Sequence, residues 1–167
     1  MARGFTYLLL LFSVALLGIG LAVAGEVWHT AAKREKEKEL LFVGDAFREA
    51  IGNYYAGSPG GLKQFPAKLE DLLRDPRFPD TRRYLRTVYA DPITGKMDWV
   101  PILAPQGGIM GVGSPSGEQP VKRSGFGDAD QAFGRLRAKA GEKLRYSDWK
   151  FVYDPVLAGL VPNGGLM

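Results

Sequence analysis

The sequence predicts an α+β fold in which one long N-terminal α-helix packs by its second half on a small antiparallel β-sheet. Three observations carry that expectation. Residues 5–25 contain no charged side chain and are nearly all apolar. Residues 31–55 lack proline, and Leu40, Val43, Phe47, Ala50 and Tyr54 recur there at spacings of 3, 4, 3 and 4, the stripe of an amphipathic helix. A Gly-Ser-Pro-Gly-Gly stop at 57–61 is followed by short strand-like runs and turn residues.

The apolar segment comes first. At 1.5 Å per residue it makes a helix of about 30 Å, the thickness of a bilayer's hydrocarbon core. Three readings fit it. In a secretory signal peptide, Arg3 forms the basic leader and Ala22-Val23-Ala24 the cleavage site. In a plain single-pass anchor, Lys33, Arg34, Lys36 and Lys38 flank the span on its C-terminal side. In the third, the segment is retained and continues as one helix into the amphipathic part. No breaker separates the two halves, and a discarded signal peptide has no need of that continuity.

The charge run from Lys33 to Glu39 places opposite charges at Arg34/Glu37, Glu35/Lys38, Lys36/Glu39 and Lys33/Glu37. Such pairs each add a few tenths of a kcal/mol on a helix surface, so the run reads as a solvated face. Residues 65–75 read as a short helix opened by Pro66, with Leu69, Leu72 and Leu73 as its apolar side. Asp91-Pro92 and Thr94-Gly95 are turn signals. Strands are expected at 97–103, where Pro101 fits only an edge or an end, at 108–114, and at 149–153, where Trp, Lys, Phe, Val and Tyr alternate. Residues 114–127 read as a loop, 128–140 as a short helix with Asp128 as N-cap and Gln131 three residues on, and the tail as irregular. Tyr84, Tyr89, Trp99, Trp149, Phe151 and Tyr153 read as core.

Composition narrows function. The 167 residues include no cysteine and one histidine, His29, which rules out disulfides, Cys-ligated metals and any His-based dyad inside the domain. A net charge of +4 is a weak bias. The basic clusters Arg82, Arg83, Arg86 and Arg135, Arg137, Lys139, Lys143, Arg145 read as solvated or subunit-contacting surface rather than a nucleic-acid face. Gly95-Lys96 is not a phosphate loop, because Ala90 stands where its first glycine belongs and Met97 replaces the Ser/Thr that holds magnesium. No nucleophile is paired with a base, and Ser114 and Ser116 lie in a Gly/Pro-rich stretch. An enzyme is not expected.

Gly4-Phe5-Thr6 after a short basic leader, then a long apolar helix, resembles the class III signal of type IV pilins and type II secretion pseudopilins. The resemblance implies cleavage after Gly4 by a prepilin peptidase, methylation of the new Phe5 amine and retention of the helix as an assembly stem. The chain then divides into a leader at 1–4, a transmembrane stem half at 5–25, an amphipathic half at 26–56, a globular pilin-like part at 57–155 and an irregular tail at 156–167. The family places a glutamate at the fifth mature position to neutralise a neighbour's amine. That position is Leu9 here, which implies a minor subunit dependent on pseudopilins that carry the glutamate. "RYLRTVYADPITGKMDW", "GGIMGVGSPS" and "YSDWKFVYDP" are similar to the globular part of G-type pseudopilins.

What the resemblance implies is a structural subunit of a secretion pseudopilus. Its partners are other pseudopilins, the prepilin peptidase and the inner-membrane platform; it sits single-pass in the bacterial inner membrane, with its C-terminal part in the periplasm. G-type members bind Ca²⁺ in a C-terminal loop, which makes Asp128 and Asp130 candidate ligands, joined by Asp148 and Asp154 only if the fold gathers them; helix capping by Asp128 is the alternative. No other cofactor is implied. Two other readings stay open: a secreted binding protein cleaved after Ala24, and a type IV minor pilin used in adhesion or DNA uptake.

Overall fold

A computed structural model describes residues 3–135 and 143–158. Helix α1 runs unbroken over Arg3–Ala56, 54 residues. The stripe read from its periodicity is its buried face. Leu40, Val43, Phe47, Ala50 and Tyr54 are at most 4% exposed, and Ile51 joins them. The helix stops where the glycines begin: the Gly57 amide closes the last turn on the Asn53 carbonyl at 2.9 Å, and a 3₁₀ turn follows at Pro59–Gly61.

The short helix expected at 65–75 is only a 3₁₀ turn, Leu69–Leu72. Its backbone groups are taken by other partners. The Asp71 carboxylate accepts from the Ala67 and Lys68 amides, the Pro66 carbonyl accepts from Ile109, and the Leu72 carbonyl accepts from both Tyr84 and Leu85. A helix cannot propagate through carbonyls already bound elsewhere. Leu72 is nevertheless fully buried, with Leu69 and Leu73 packed beside the core.

Three strands form one antiparallel sheet in the order β1 (Val100–Leu103), β2 (Ile109–Gly113), β3 (Lys150–Val152). All three lie inside the expected runs but are shorter. Pro101 is on an edge strand, where its missing N–H costs no ladder bond. Val112 pairs with Phe151, and both are fully buried.

Gly44 of α1 receives the Phe151 ring: a Cβ built there would lie 2.2 Å from Phe151 Cδ1. Helix propensity favours Gly→Ala by about 1 kcal/mol. Here overpacking wins, because Phe151 is itself fully buried and edge-on to Phe133 at 5.3 Å, so it has no room to retreat. Gly44→Ala should therefore lower stability by about 1 kcal/mol or more in urea unfolding, against its propensity.

Turn 91–96 is built on Asp91, which is 0% exposed. Its backbone exchanges bonds with Lys96 and Gly95 at 2.8 and 2.7 Å, and Gly95 supplies the φ of +72° that closes the turn. Its carboxylate accepts from the Ile93 amide at 2.8 Å and from Ser114 Oγ at 2.5 Å, tying the turn to the end of β2.

Residues 114–127 contain no regular element, as expected of a loop. They are not loose at the start: Ser114 and Ser116 are buried, and the Ser116 carbonyl accepts from Ser147. The helix expected at 128–140 is a 3₁₀ turn at Asp128–Asp130 followed by α2, Gln131–Arg135. Gly127 rather than Asp128 occupies the cap, and the Asp128 carboxylate instead accepts from Gln131 Nε2 at 2.9 Å. The remainder of that expected helix, with Arg137 and Lys139, lies outside the described residues. The tail begins with a short helix, α3, at Pro155–Ala158 rather than irregularly. Asp154 accepts from the Val156 amide and Pro155 opens the first turn, a combination that starts helices. Residues 159–167 lie outside the described residues.

Candidate functional site

Residues 5–19 of α1 carry no charged side chain. Leu8, Leu9, Leu10 and Leu11, successive residues that together circle the helix, are 65%, 55%, 60% and 49% exposed. A helix apolar on every side needs lipid or other helices around it. Among the described residues, no helix is long and apolar enough to cross a membrane. Gly4 lies in the first turn of α1, Phe5 is 74% exposed, and Ala24 lies within the same helix. Ser13 Oγ donates to the Leu9 carbonyl at 2.8 Å, so that stem hydroxyl is satisfied inside its own helix. Trp28, 81% exposed, lies three residues beyond the end of the uncharged run at Gly25.

Where the stem meets the globular part, the fold departs from the expected solvated charge run. Glu37 is 2% exposed. Its carboxylate accepts from the Val121 amide at 2.5 Å, from the Lys122 amide, and from Tyr146 Oη at 2.9 Å. Burial first, and then the Glu37 carboxylate, push the Tyr146 phenol far up, so it stays a donor. Lys33 pairs with Glu118 at 3.0 Å instead of with Glu37; of the expected helix pairs, Lys38–Glu35 forms an ion pair at 2.9 Å. The 118–122 segment is thus strapped onto α1 just beyond the stem.

A second latch closes the far end of α1. The Arg77 guanidinium binds both oxygens of buried Asp75, at 2.8 and 2.7 Å, and donates to Ser58 Oγ and to the Tyr54 carbonyl, each at 2.8 Å. A cation at a helix C-terminus also meets the negative end of the macrodipole. The guanidinium lies 3.6 Å from the Tyr54 ring centre. Burial raises the Asp75 carboxyl, but the hydrogen bonds from Arg77 and Tyr84 outweigh it and hold the group below the usual carboxylate range. A carboxyl depressed in the folded state stabilises above its unfolded value of about 4, and that contribution is lost as pH falls through the folded value. Thermal unfolding should therefore show wild type losing stability on acidification more steeply than Asp75→Asn. The variant should be less stable at neutral pH and converge with wild type in acid.

Each of the calcium candidates already accepts a hydrogen bond from within the protein. Asp130 is 4% exposed and accepts from Arg48 at 2.6 Å, so an internal cation already serves it. Arg48 also pairs with Asp45, whose carboxyl is raised by burial and by Asp130 despite that guanidinium. Asp128 is bound to Gln131, Asp148 to the Arg145 amide and Asp154 to the Val156 amide. Among the described residues no group of three or more acidic or histidine side chains could hold a metal. The serine–carboxylate pair Ser114–Asp91 is sealed from solvent, and no histidine is among its hydrogen-bond partners. Arg82, Arg83 and Arg86 are exposed, with Arg82 stacked 3.9 Å over Phe78.

No protein-family model, no curated protein and no solved structure matches this chain. Sequence reasoning missed both latches. Their only local trace is a glutamate at Glu37 on the same helix face as Leu40, where an apolar residue would continue the stripe.

Proposed function

We propose that this chain is a pilin-like structural subunit of a type II secretion pseudopilus or a related filament, rather than an enzyme. The observation that carries the reading is one unbroken helix whose first half is apolar on every side and whose second half is the spine of a small folded domain. An oily rod fused to a folded head suits a part that waits in a membrane and then packs against copies of similar rods. Residues 5–25 serve as the inner-membrane segment and later as the filament stem, with the head in the periplasm. The prepilin peptidase cuts between Gly4 and Phe5, and the secretion platform loads the matured subunit. Leu9 presents apolar area where a stem carboxylate would meet a neighbour's amine, which favours a minor position beside subunits that carry the glutamate.

Mass spectrometry of the chain from its native membrane tests this. The expected mature form begins at Phe5 with a methylated amine. A chain beginning at Gly25 would instead establish a secreted protein cut after Ala24, and the filament reading would fall. Gly4→Val should leave the leader uncut.

A further inference from the structure

Across the sheet, Pro101, Val112 and Phe151 form one row of paired residues. Val112 and Phe151 are fully buried, and Phe151 lies against Gly44 of α1. Successive residues of a strand point to opposite faces. The two flanking rows, Val100–Gly113–Lys150 and Ile102–Gly111–Val152, therefore point away from the helix. An antiparallel sheet with one solvated face usually turns polar residues outward. Here Lys150 is the one polar side chain of the six, and Val100 is 48% exposed. Val100, Ile102, Gly113 and Lys150 line an open trough of about 260 Å³ on this face.

The glycines of β2 supply a second observation. At Gly111 a Cβ would lie 2.4 Å from the Phe151 carbonyl oxygen, so the close approach of β3 requires glycine there. Gly113 has no such reason. A Cβ there meets only the Trp149 carbonyl oxygen, at an ordinary 3.5 Å, and its φ is not positive. A glycine that neither backbone nor packing requires weakens its strand, and such a glycine often marks the close approach of another molecule.

We infer that the trough receives β1 of a second copy of this chain, so that two heads pair face to face across their outer sheet surfaces. The ridge and the hollow that must fit lie side by side on one face: Val100 and Ile102 on β1, Gly113 and Gly111 on β2. Such a face is complementary to itself under a twofold rotation. Strands in a sheet stand about 4.8 Å apart. An axis midway between β1 and β2 lays the β1 of each copy over the β2 of the other. Lys150, on β3, then falls outside the overlap, so the one charge of the face stays in solvent and the two copies' charges stand at opposite rims. Two strands per copy make a small contact of the transient class. Stems lying in one membrane, as proposed above, raise the frequency of encounter, while the contact itself involves only the heads.

The chain has no cysteine, so a single introduced thiol reports one position. Full chains carrying Val100→Cys, or Arg83→Cys at an exposed site outside the sheet, are placed in phosphatidylcholine vesicles and treated with a short bifunctional thiol reagent. Val100→Cys should cross-link copy to copy about ten-fold faster than Arg83→Cys, the gain that burying one valine provides. Adding Gly113→Val should remove that gain while leaving the urea midpoint of the head unchanged or higher, because the new side chain has room and suits a strand. Equal rates at the two positions, or a Val100→Cys rate indifferent to Gly113→Val, overturns the pairing. Where Gly113→Val lowers the midpoint, the comparison of the two positions decides by itself. In the native membrane, a Val100→Cys product joined to a different protein, with none of copy-to-copy mass, overturns the second copy as occupant. Flotation of the same vesicles reads the stem separately. A chain that does not float loses the anchor, and its cross-linking is then read in detergent at equal protein concentration.

Discussion

Phe47→Asp is expected to abolish the cooperative unfolding transition of the globular part. Phe47 is 0% exposed, edge-on to Trp99 at 5.2 Å and to Tyr89 at 6.5 Å. Loss of the ring alone costs about 3–5 kcal/mol. The substitution also places an unpaired carboxylate among apolar neighbours, which adds several kcal/mol more. Against a typical total of 5–15 kcal/mol for a folded domain, the sum leaves little or nothing. Tryptophan fluorescence in a urea titration of the full chain reads this directly through Trp99 and Trp149, both buried. A transition with an unchanged midpoint would show that the stripe is not the core. Phe47→Leu, which keeps most of the apolar volume, should lose much less.

Glu37→Ala should have the next largest effect. The truncation strands two backbone amides and a phenol that all depend on one carboxylate. Each buried donor left without a partner costs about 1–3 kcal/mol, so a loss of about 3–5 kcal/mol is expected. Glu37→Gln keeps one acceptor oxygen and should fall between the two. Amide hydrogen exchange locates the damage: Val121 and Lys122 should exchange rapidly in Glu37→Ala while Val112, in the central strand, keeps its protection. Slow exchange at 121–122 in the variant would mean that the segment is held by something other than Glu37.

The continuous N-terminal helix, the buried stripe and the positions of the three strands were legible in the chain because each is written locally. An uncharged run and a repeat of 3 and 4 need no knowledge of distant residues. The latches were illegible for the opposite reason. Glu37 sits in a run whose neighbours at three and four positions offer ready-made ion pairs, and local pairing is what a single sequence displays. Its actual partners stand 84 to 109 residues downstream. Asp75 and Arg77 look like ordinary surface charges beside Pro76, and only the return of the chain past the end of α1 makes them a clamp. The overread helix at 65–75 fails in the same way: its leucines are spaced for a helix, and Leu72 is buried as expected, but carbonyls needed for the next turn belong to Ile109, Tyr84 and Leu85. The calcium candidates were chosen by residue type, and Asp130 found its cation in Arg48, from a helix whose facing could not be assigned to that loop beforehand.

The unbroken α1 has a mechanical consequence. Its 54 residues make a rod of about 80 Å. A pull along the stem has no hinge in which to dissipate, so it arrives undiminished at the head. There the rod runs beneath the sheet and is gripped at both ends of the contact, by Glu37 near the stem and by Arg77 at the tip. Axial load on that arrangement shears many contacts at once instead of peeling them one after another. Shear is the strong direction of such a joint, and the weak direction is sideways. The head should therefore tolerate traction along the rod far better than a torque that levers the sheet away from it.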